Sequence, residues 1–377
     1  MTKSRTEALA AKVAFLADER HYRRRPRAVA TIETHFAWVF LVGNRAYKLK
    51  KPLRQAPVDY RTLARRERAC RAELELNRRL APHVYLRVVP LGRDDSGELT
   101  RAPGTRVVDW LVEMVRLPAA RMLDRAILTG TVGPRDLERV VARLATFFRR
   151  ARRRPLSERG YLARLRRKIL TNARELRAPD LALDRSLVEE VIQSQLAFLG
   201  ERASLLAGRG ERLIDGHGDL RPEHIFLGTR SRGACVIDCL EFDTDLRRLD
   251  PAEEVAFLAL ECGRLGAAGL ADDLIAQYAR AMGDSVPQTL IHFYMSRCAA
   301  IRAQIAAWHL RDAALAGASR KWRARAHSYL ADALQHIRCA RALPGGTSHP
   351  KDRQHPRARA LPGRNSRHEA QVDATDA

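Results

Sequence analysis

Aromatic residues make up only 6% of this chain of 377 residues, and the six cysteines are scattered without a CxxC pair. The first scarcity argues against a stacking platform for single-stranded nucleic acid. The second argues against a disulfide framework or a zinc knuckle, and for reduced thiols. No apolar run approaches the roughly 18–20 residues that span a bilayer, and the N-terminus lacks the h-region of a signal peptide. The expected location is therefore cytoplasmic, with no membrane partner. There is no GxxxxGK[ST], so no P-loop, and no GxGxxG to cradle phosphates on a glycine-rich loop. Acidic residues are also in deficit, 44 Asp and Glu against 68 Lys and Arg, a net charge of +24. Such a charge admits a nucleic-acid partner. The basic clusters RHYRRRPR (20–27), RRARRRP (149–155) and ARLRRK (163–168) are dispersed, however, and lysine is rare beside arginine. That points to compositional bias of the coding sequence at least as much as to selection for a polyanion.

What the chain does contain is ordinary globular material, 46% hydrophobic and 30% charged, long enough for two packed lobes. Residues 6–20 have helical spacing, and 34–52 read as two strands joined at Gly43-Asn44, a pair suited to a tight hairpin turn. A helix is expected from Tyr60 to Leu80, with Leu63, Cys70, Leu74, Leu76 and Leu80 as its apolar positions. Strands follow at 84–92 and 107–115. Beyond Pro118 the helical period dominates at 121–129, 134–153, 158–176 and 186–206, the last with Ser186 as N-cap. Short extended pieces around 212–216, 224–227 and 234–238 interrupt the helices, which resume at 251–265, 269–282 and 287–340. Cys70 and Cys262 sit in apolar stripes and read as core. The layout is α+β, with four segments: an N-terminal helix and basic segment (1–30), a small β-rich lobe (31–117), a larger helical lobe (118–342), and a polar tail (343–377) too poor in apolar residues to order itself.

Chemistry concentrates in the stretch HGDLRPEHI, residues 217–225. Asp219 stands in a short extended loop, and downstream Asp238 ends the apolar run Ala234–Ile237, where a strand terminus aims it outward. Two such carboxylates suit phosphoryl transfer: one orients or deprotonates an acceptor, the other helps to hold a divalent cation on the phosphates. Bringing like charges together is costly unless a cation offsets the repulsion.

Asp219-Leu220-Arg221-Pro222-Glu223-His224-Ile225 resembles the DLKPENI form of the protein-kinase catalytic loop, and His217-Gly218-Asp219 is similar to the HGD of aminoglycoside phosphotransferases. The likeness, over most of residues 30 to 310, is to a bacterial branch of the aminoglycoside-phosphotransferase-like family. Some members of that branch carry a C-terminal P-loop kinase domain, and this chain resembles the stand-alone form. The resemblance implies a two-lobed protein-kinase-like fold that uses ATP and Mg²⁺ to phosphorylate a hydroxyl of a small molecule. Asp219 takes the place of the catalytic base, Asp238 that of a metal ligand, and Arg221 that of a phosphoryl contact. In the first lobe, Lys48 and Lys50 lie on one face of a strand similar to the one whose lysine meets the α- and β-phosphates; both remain open for that role, and the likeness of Leu49-Lys50-Lys51-Pro52 to the LRxxP of some small-molecule kinases favours Lys50. Glu73 matches the helix glutamate that pairs with the lysine. Trp110–Val115 resembles the hinge that borders adenine, which brings in Glu113 and Val115.

Departures from the family pattern matter as much. His224 stands where a metal-binding Asn is usual, and imidazole widens the choice toward Mn²⁺ and other transition metals. Cys239-Leu240 replaces the Phe-Gly that follows the metal-binding Asp. His217 reads as a structural residue bonded to the loop near Asp238. Glu241, Asp243, Asp245 and Asp250 read as solvated or capping charges, with Asp250-Pro251 starting a helix, although Glu241 or Asp243 is also placed for a second metal or a cationic substrate group. Arg297 and Arg302 read as solvent-facing, with contact to an anionic substrate as the alternative. Two rival functions follow: a nucleotide-binding regulator without transfer, motivated by His224 and Cys239-Leu240, and, less favoured, a nucleic-acid binder. Neither the acceptor nor the oligomeric state is legible.

Overall fold

Alternating apolar residues on either side of Gly43-Asn44 build the first sheet. Strands β2 (Ala37–Val42) and β3 (Arg45–Lys50) pair antiparallel from Val42 opposite Arg45. Gly43 turns the chain at a φ of 55°, a left-handed conformation that costs glycine nothing. The computed structural model describes residues 3–22, 27–55, 57–229, 233–311 and 317–343. The expectation of a disordered tail, Leu343 apart, and much of the cluster at 20–27 lie outside the described residues.

The chain divides into two units, Met1–Leu117 and Pro118–Thr347. In the first, a strand not foreseen from the sequence, β1 (Val29–Glu33), pairs with β2, while β6 (Tyr85–Arg93), β7 (Leu99–Thr100) and β8 (Arg106–Val115) complete a six-stranded antiparallel sheet in the order β1-β2-β3-β8-β6-β7. Between β3 and β6 lie a minimal two-residue pair, β4 (Arg54–Gln55) and β5 (Val58–Asp59), and the helix α2 (Leu63–Arg78). Helix α1 (Lys3–Ala17) lays Leu9, Val13 and Leu16 on a core of Phe40, Leu49, Leu91 and Leu111. Full burial of each such side chain contributes about 2 kcal/mol.

Helix α2 departs from expectation. Its buried stripe is not the leucines but Arg66, Cys70, Glu73 and Asn77, residues that recur at helical spacing along one face. Arg66 is matched by Asp109 at 2.6 Å. The helix therefore buries two charged residues, Arg66 and Glu73, each ion-paired with a residue of β8 or β3.

The second unit is mainly helical: α3 (Leu123–Leu128), α4 (Pro134–Arg150), α5 (Glu158–Leu176), α6 (Arg185–Glu201), α7 (Ala203–Leu206), α8 (Pro251–Arg264), α9 (Ala268–Met282), α10 (Gln288–Trp308) and α11 (Ser319–Ala342). The expected helix 186–206 breaks at Arg202, and its cap is Asp184, whose side chain accepts from Ser186 and Leu187 N–H. Ser186 is thus inside the helix. The expected helix 287–340 is two helices, α10 and α11. Phe198 of α6 stacks on Phe293 of α10 at 4.4 Å. Asp250 caps α8 as expected, but it is buried and also accepts two bonds from Arg209 at 2.6 Å each. Four two-residue strands, β9 (Ile214–Asp215), β10 (Ile225–Phe226), β11 (Cys235–Val236) and β12 (Arg248–Leu249), pair as β10-β11 and β9-β12 and frame the HGD loop. The α+β, protein-kinase-like organisation is thus a β-rich first unit and a larger helical second one. Cys70 and Cys262 are fully buried, and among the described residues no helix is long and apolar enough to cross a membrane.

Candidate active site

In the first unit, alternation along β3 puts Lys48 and Lys50 on one face, and both reach Glu73. Lys50 Nζ lies 2.6 Å from one carboxylate oxygen and Lys48 Nζ 3.1 Å from the other. Glu73 and Lys50 are buried, whereas the Lys48 side chain keeps 15% exposure. Two ammonium groups on one carboxylate leave a surplus positive charge at the more open lysine, which suits a phosphate.

On the strand expected to border adenine, the Glu113 side chain and the Val115 amide both have partners within the first unit. The Glu113 carboxylate is buried, takes Arg87 Nε at 2.7 Å and accepts from the Tyr47 hydroxyl at 3.4 Å. It holds the sheet together. Val115 N–H donates to Val84 O at 2.8 Å, and the next amide, of Arg116, donates to Asn44 O at 3.0 Å. The Val115 amide is therefore engaged by the sheet and is not an open donor to a base.

In the second unit the HGD loop is held from beneath. One Glu254 oxygen accepts His217 N–H at 2.8 Å and Gly218 N–H at 2.6 Å. Gly218 has a φ of 87°, and a Cβ there would stand 3.0 Å from Leu240 Cδ1. Both its conformation and its surroundings call for glycine. His217 Nδ1 accepts Asp219 N–H at 3.2 Å, so its other nitrogen, Nε2, donates to Ile237 O at 2.9 Å. This is the structural contact expected of it. Burial first, then the neighbouring His224, pull the imidazole down to about 4, so it stays neutral at physiological pH.

His224 closes the loop on itself. Its Nδ1 donates to the Asp219 carbonyl at 2.8 Å, which leaves the Nε2 lone pair 3.7 Å from Asp238 Oδ2 and 3.3 Å from Arg221 Nη2. The β10-β11 pairing, extended by Ile237 N–H to His224 O at 2.9 Å, brings the two segments together. Asp238 takes a φ of 63°, a left-handed conformation rarely held outside glycine and typical of constrained functional positions. Cys239 Sγ donates to His217 O at 3.3 Å, so the residue after Asp238 is pinned. Among the described residues no group of three or more His, Cys, Asp and Glu is arranged to hold a metal. An ion that completes its shell with phosphate oxygens and water needs only one or two protein ligands, and His224 Nε2 with Asp238 Oδ2 are spaced for that.

Arg221 does not meet the expectation of an open phosphoryl contact. It is 1% exposed, and its guanidinium lies against Asp219 Oδ1 at 3.0 Å, Glu223 and His224. Its charge acts on the Asp219 carboxylate. Burial pushes Asp219 up, but Arg221, His224 and Arg302 outweigh it and hold it below the usual carboxylate range. Arg297 and Arg302 are likewise not solvent-facing: both are buried, Arg297 against Glu253 and Arg302 near Glu261 and Tyr329. Asp243 accepts the Asp245 N–H at 2.6 Å as a loop cap. Glu254 was missed from the sequence, although the Asp250-Pro251 helix start would have placed it in the first turn facing the loop.

The model of the phosphotransferase enzyme family matches residues 36–292. Uncharacterised proteins of Mycobacterium bovis and Mycobacterium tuberculosis are 34% identical over 277 residues, 72% of this chain and 53% of theirs. The chain spans about half the length of these curated relatives. Among solved structures, a choline/ethanolamine kinase family protein from Mesorhizobium loti is 14% identical with a TM-score of 0.49, over 87% of this chain and 99% of that one. A thermostable mutant of aminoglycoside phosphotransferase APH(4)-Ia is 12% identical with a TM-score of 0.49, over 84% and 97%.

Proposed function

The chain belongs to the phosphotransferase enzyme family, and from that premise we propose that it moves the γ-phosphoryl group of ATP to a hydroxyl of a small molecule. The observation that carries this reading is the junction at His224, which ties the Asp219 backbone with one nitrogen and turns the other toward Asp238. A candidate base and a candidate metal pair are thereby fixed to one another.

In this reading the acceptor hydroxyl donates a hydrogen bond to Asp219. Its oxygen forms the new bond to phosphorus while the bond between the γ-phosphorus and the β–γ bridging oxygen breaks, releasing ADP. The hydroxyl proton passes to Asp219 late, as suits a weak base and a loose transition state. Arg221 keeps that carboxylate ionised and oriented. Lys48 and Lys50, steadied by Glu73, receive the nucleotide phosphates in the first unit. His224 and Asp238 would hold Mg²⁺, or Mn²⁺ given the imidazole; bound there, the ion neutralises charge on the phosphates. The test is ADP release across a panel of hydroxyl acceptors. Asp219→Asn should lose at least about a hundredfold in turnover while staying folded, and unchanged turnover in that variant sinks the assignment.

A second reading is favoured by one contact. His224 Nε2 also accepts from Arg221 Nη2, an arrangement that serves a nucleotide-binding regulator without metal-assisted transfer. ATP-induced thermal stabilisation independent of Mg²⁺ and Mn²⁺, with no product, is its signature.

A further inference from the structure

Helices α5 and α10 are tied together at two points. The hydroxyls of Tyr161 and Tyr294 are 3.0 Å apart, and Asn172 Nδ2 donates to Ala300 O at 3.1 Å and to Gln304 Oε1 at 2.6 Å. Positions 161, 164, 168 and 172 share one face of a helix. Arg164 and Lys168 therefore stand between the ties, facing the part of α10 that carries Arg297.

Cations outnumber carboxylates here. Arg164 is 4% exposed and donates to Asp245 O at 2.5 Å and Arg248 O at 2.8 Å, besides meeting the Asp245 carboxylate. Arg248 Nε donates only to a carbonyl, Arg154 O, at 2.7 Å. Arg297, 3% exposed, is paired with Glu253 through Nη1, but its buried Nε has no hydrogen-bond partner. The Lys168 ammonium reaches the Asp245 carbonyl at 3.5 Å, the outer limit of a hydrogen bond. Arg164, Arg248, Arg297 and Lys168, with Arg167 also acting on Asp245, thus outnumber the carboxylates of Asp245 and Glu253, and the Asp245 side chain is 54% exposed. The cluster is joined along the chain to segments of the site already described: Asp245 is on the segment leaving Asp238, and Glu253 precedes Glu254, which holds the HGD loop.

We propose that Lys168, with Arg297 behind it, seats an oxyanion, and that the acceptor is accordingly an alcohol bearing a carboxylate or phosphate group. The identity of the acceptor rests on the phosphotransferase reading; the anion seat does not. Burial and Arg164 pull Lys168 down to about 8, with Arg297 adding to them and Glu253 and Asp245 opposing. Burial holds the facing Cys298 and Tyr161 well above their usual ranges, so Lys168 is the group there that titrates near pH 8.

Inorganic phosphate and acetate, titrated calorimetrically at constant ionic strength, test the seat and distinguish its two ligand classes. Lys168→Gln should weaken the preferred anion about tenfold or more, the worth of one charge-assisted hydrogen bond. Lys168→Arg should retain binding, and so should Arg174→Gln, which removes an exposed charge from the far side of α5. Between pH 7 and 9 the wild-type affinity should fall, and that of Lys168→Arg should hold. Equal affinity in wild type and Lys168→Gln overturns the proposal. Turnover tests the acceptor separately from the seat. Activity on neutral alcohols alone, with Lys168→Gln indistinguishable from wild type, keeps the phosphotransferase and rejects the anionic acceptor. No turnover on any acceptor rejects the phosphotransferase, while the anion titration still decides the seat.

Discussion

Glu73 binds two lysines at once, Lys50 at 2.6 Å and Lys48 at 3.1 Å, one on each carboxylate oxygen. Removing the carboxylate takes a shared counter-charge from two ammonium groups at once, whereas removing either lysine leaves Glu73 paired with the other. Glu73→Gln should therefore cost about 3 kcal/mol or more, the scale of a broken buried ion pair, and Lys48→Met about 1 kcal/mol or less. Urea denaturation measures both, and equal costs contradict the shared arrangement. Lys48→Met should also raise KM for ATP.

Gly218→Arg turns HGD into the HRD of protein kinases. At a φ of 87°, with Leu240 Cδ1 and Arg247 Cγ beside the site of the new Cβ at 3.0 and 3.3 Å, the change should destabilise by about 1–3 kcal/mol and misplace Asp219. A variant with native stability and turnover refutes this account of the glycine.

Glu254→Ala removes the acceptor of the His217 and Gly218 amides. The two buried N–H groups left unpaired should cost about 2 kcal/mol in stability. If Glu254 acts by positioning, kcat should fall with KM for ATP little changed; a proportionate loss in both means that the loop has collapsed.

His217 makes stability depend on pH. Its imidazole is neutral in the fold down to about pH 4, while the unfolded chain binds a proton below about 6.5. Stability from this group is present above pH 6.5 and drains away toward pH 4, by about 3 kcal/mol in all. His217→Asn should show a flatter profile of urea midpoint against pH over that window. The same slope in both proteins rules His217 out as the source.

Lys168 acts with the same sign in a higher pH window. Its charged form is penalised in the fold, so below pH 8 the native state carries a cost that disappears as pH rises from about 8 toward the unfolded value near 10.5. Lys168→Gln should raise stability at pH 7 by about 1 kcal/mol, discounted for the partial exposure of the side chain, and have no effect by about pH 10.5. Differential scanning calorimetry at the two pH values reads it directly.

Much of the candidate site was legible because it is local. Asp219 and His224 belong to one short loop, and Asp238 follows a strand paired with it, so spacing drew attention to the two carboxylates and the family resemblance brought in His224. The hairpin at Gly43-Asn44 and the Asp250-Pro251 helix start were legible for the same reason: turn and cap chemistry act over a few residues. Lys48 and Lys50 could not be separated by alternation, which puts both on one face; burial separates them, with Lys50 enclosed and Lys48 the more open.

The remaining features depend on what is packed against what. Helix α10 is buried nearly all round, so Arg297 and Arg302 carried no sign of being inside. Nor did α2 show that its inward stripe is Arg66, Cys70, Glu73 and Asn77, because each buried charge there is made tolerable by a partner distant in sequence. Periodicity and short-range spacing were enough for most of the elements and for marking the HGD loop. Packing put Arg221 behind Asp219, tied the Val115 N–H into its sheet, and stood Lys168 among arginines. Burial and long-range ion pairing set the charge and reach of a side chain, and neither is written in its neighbours along the chain.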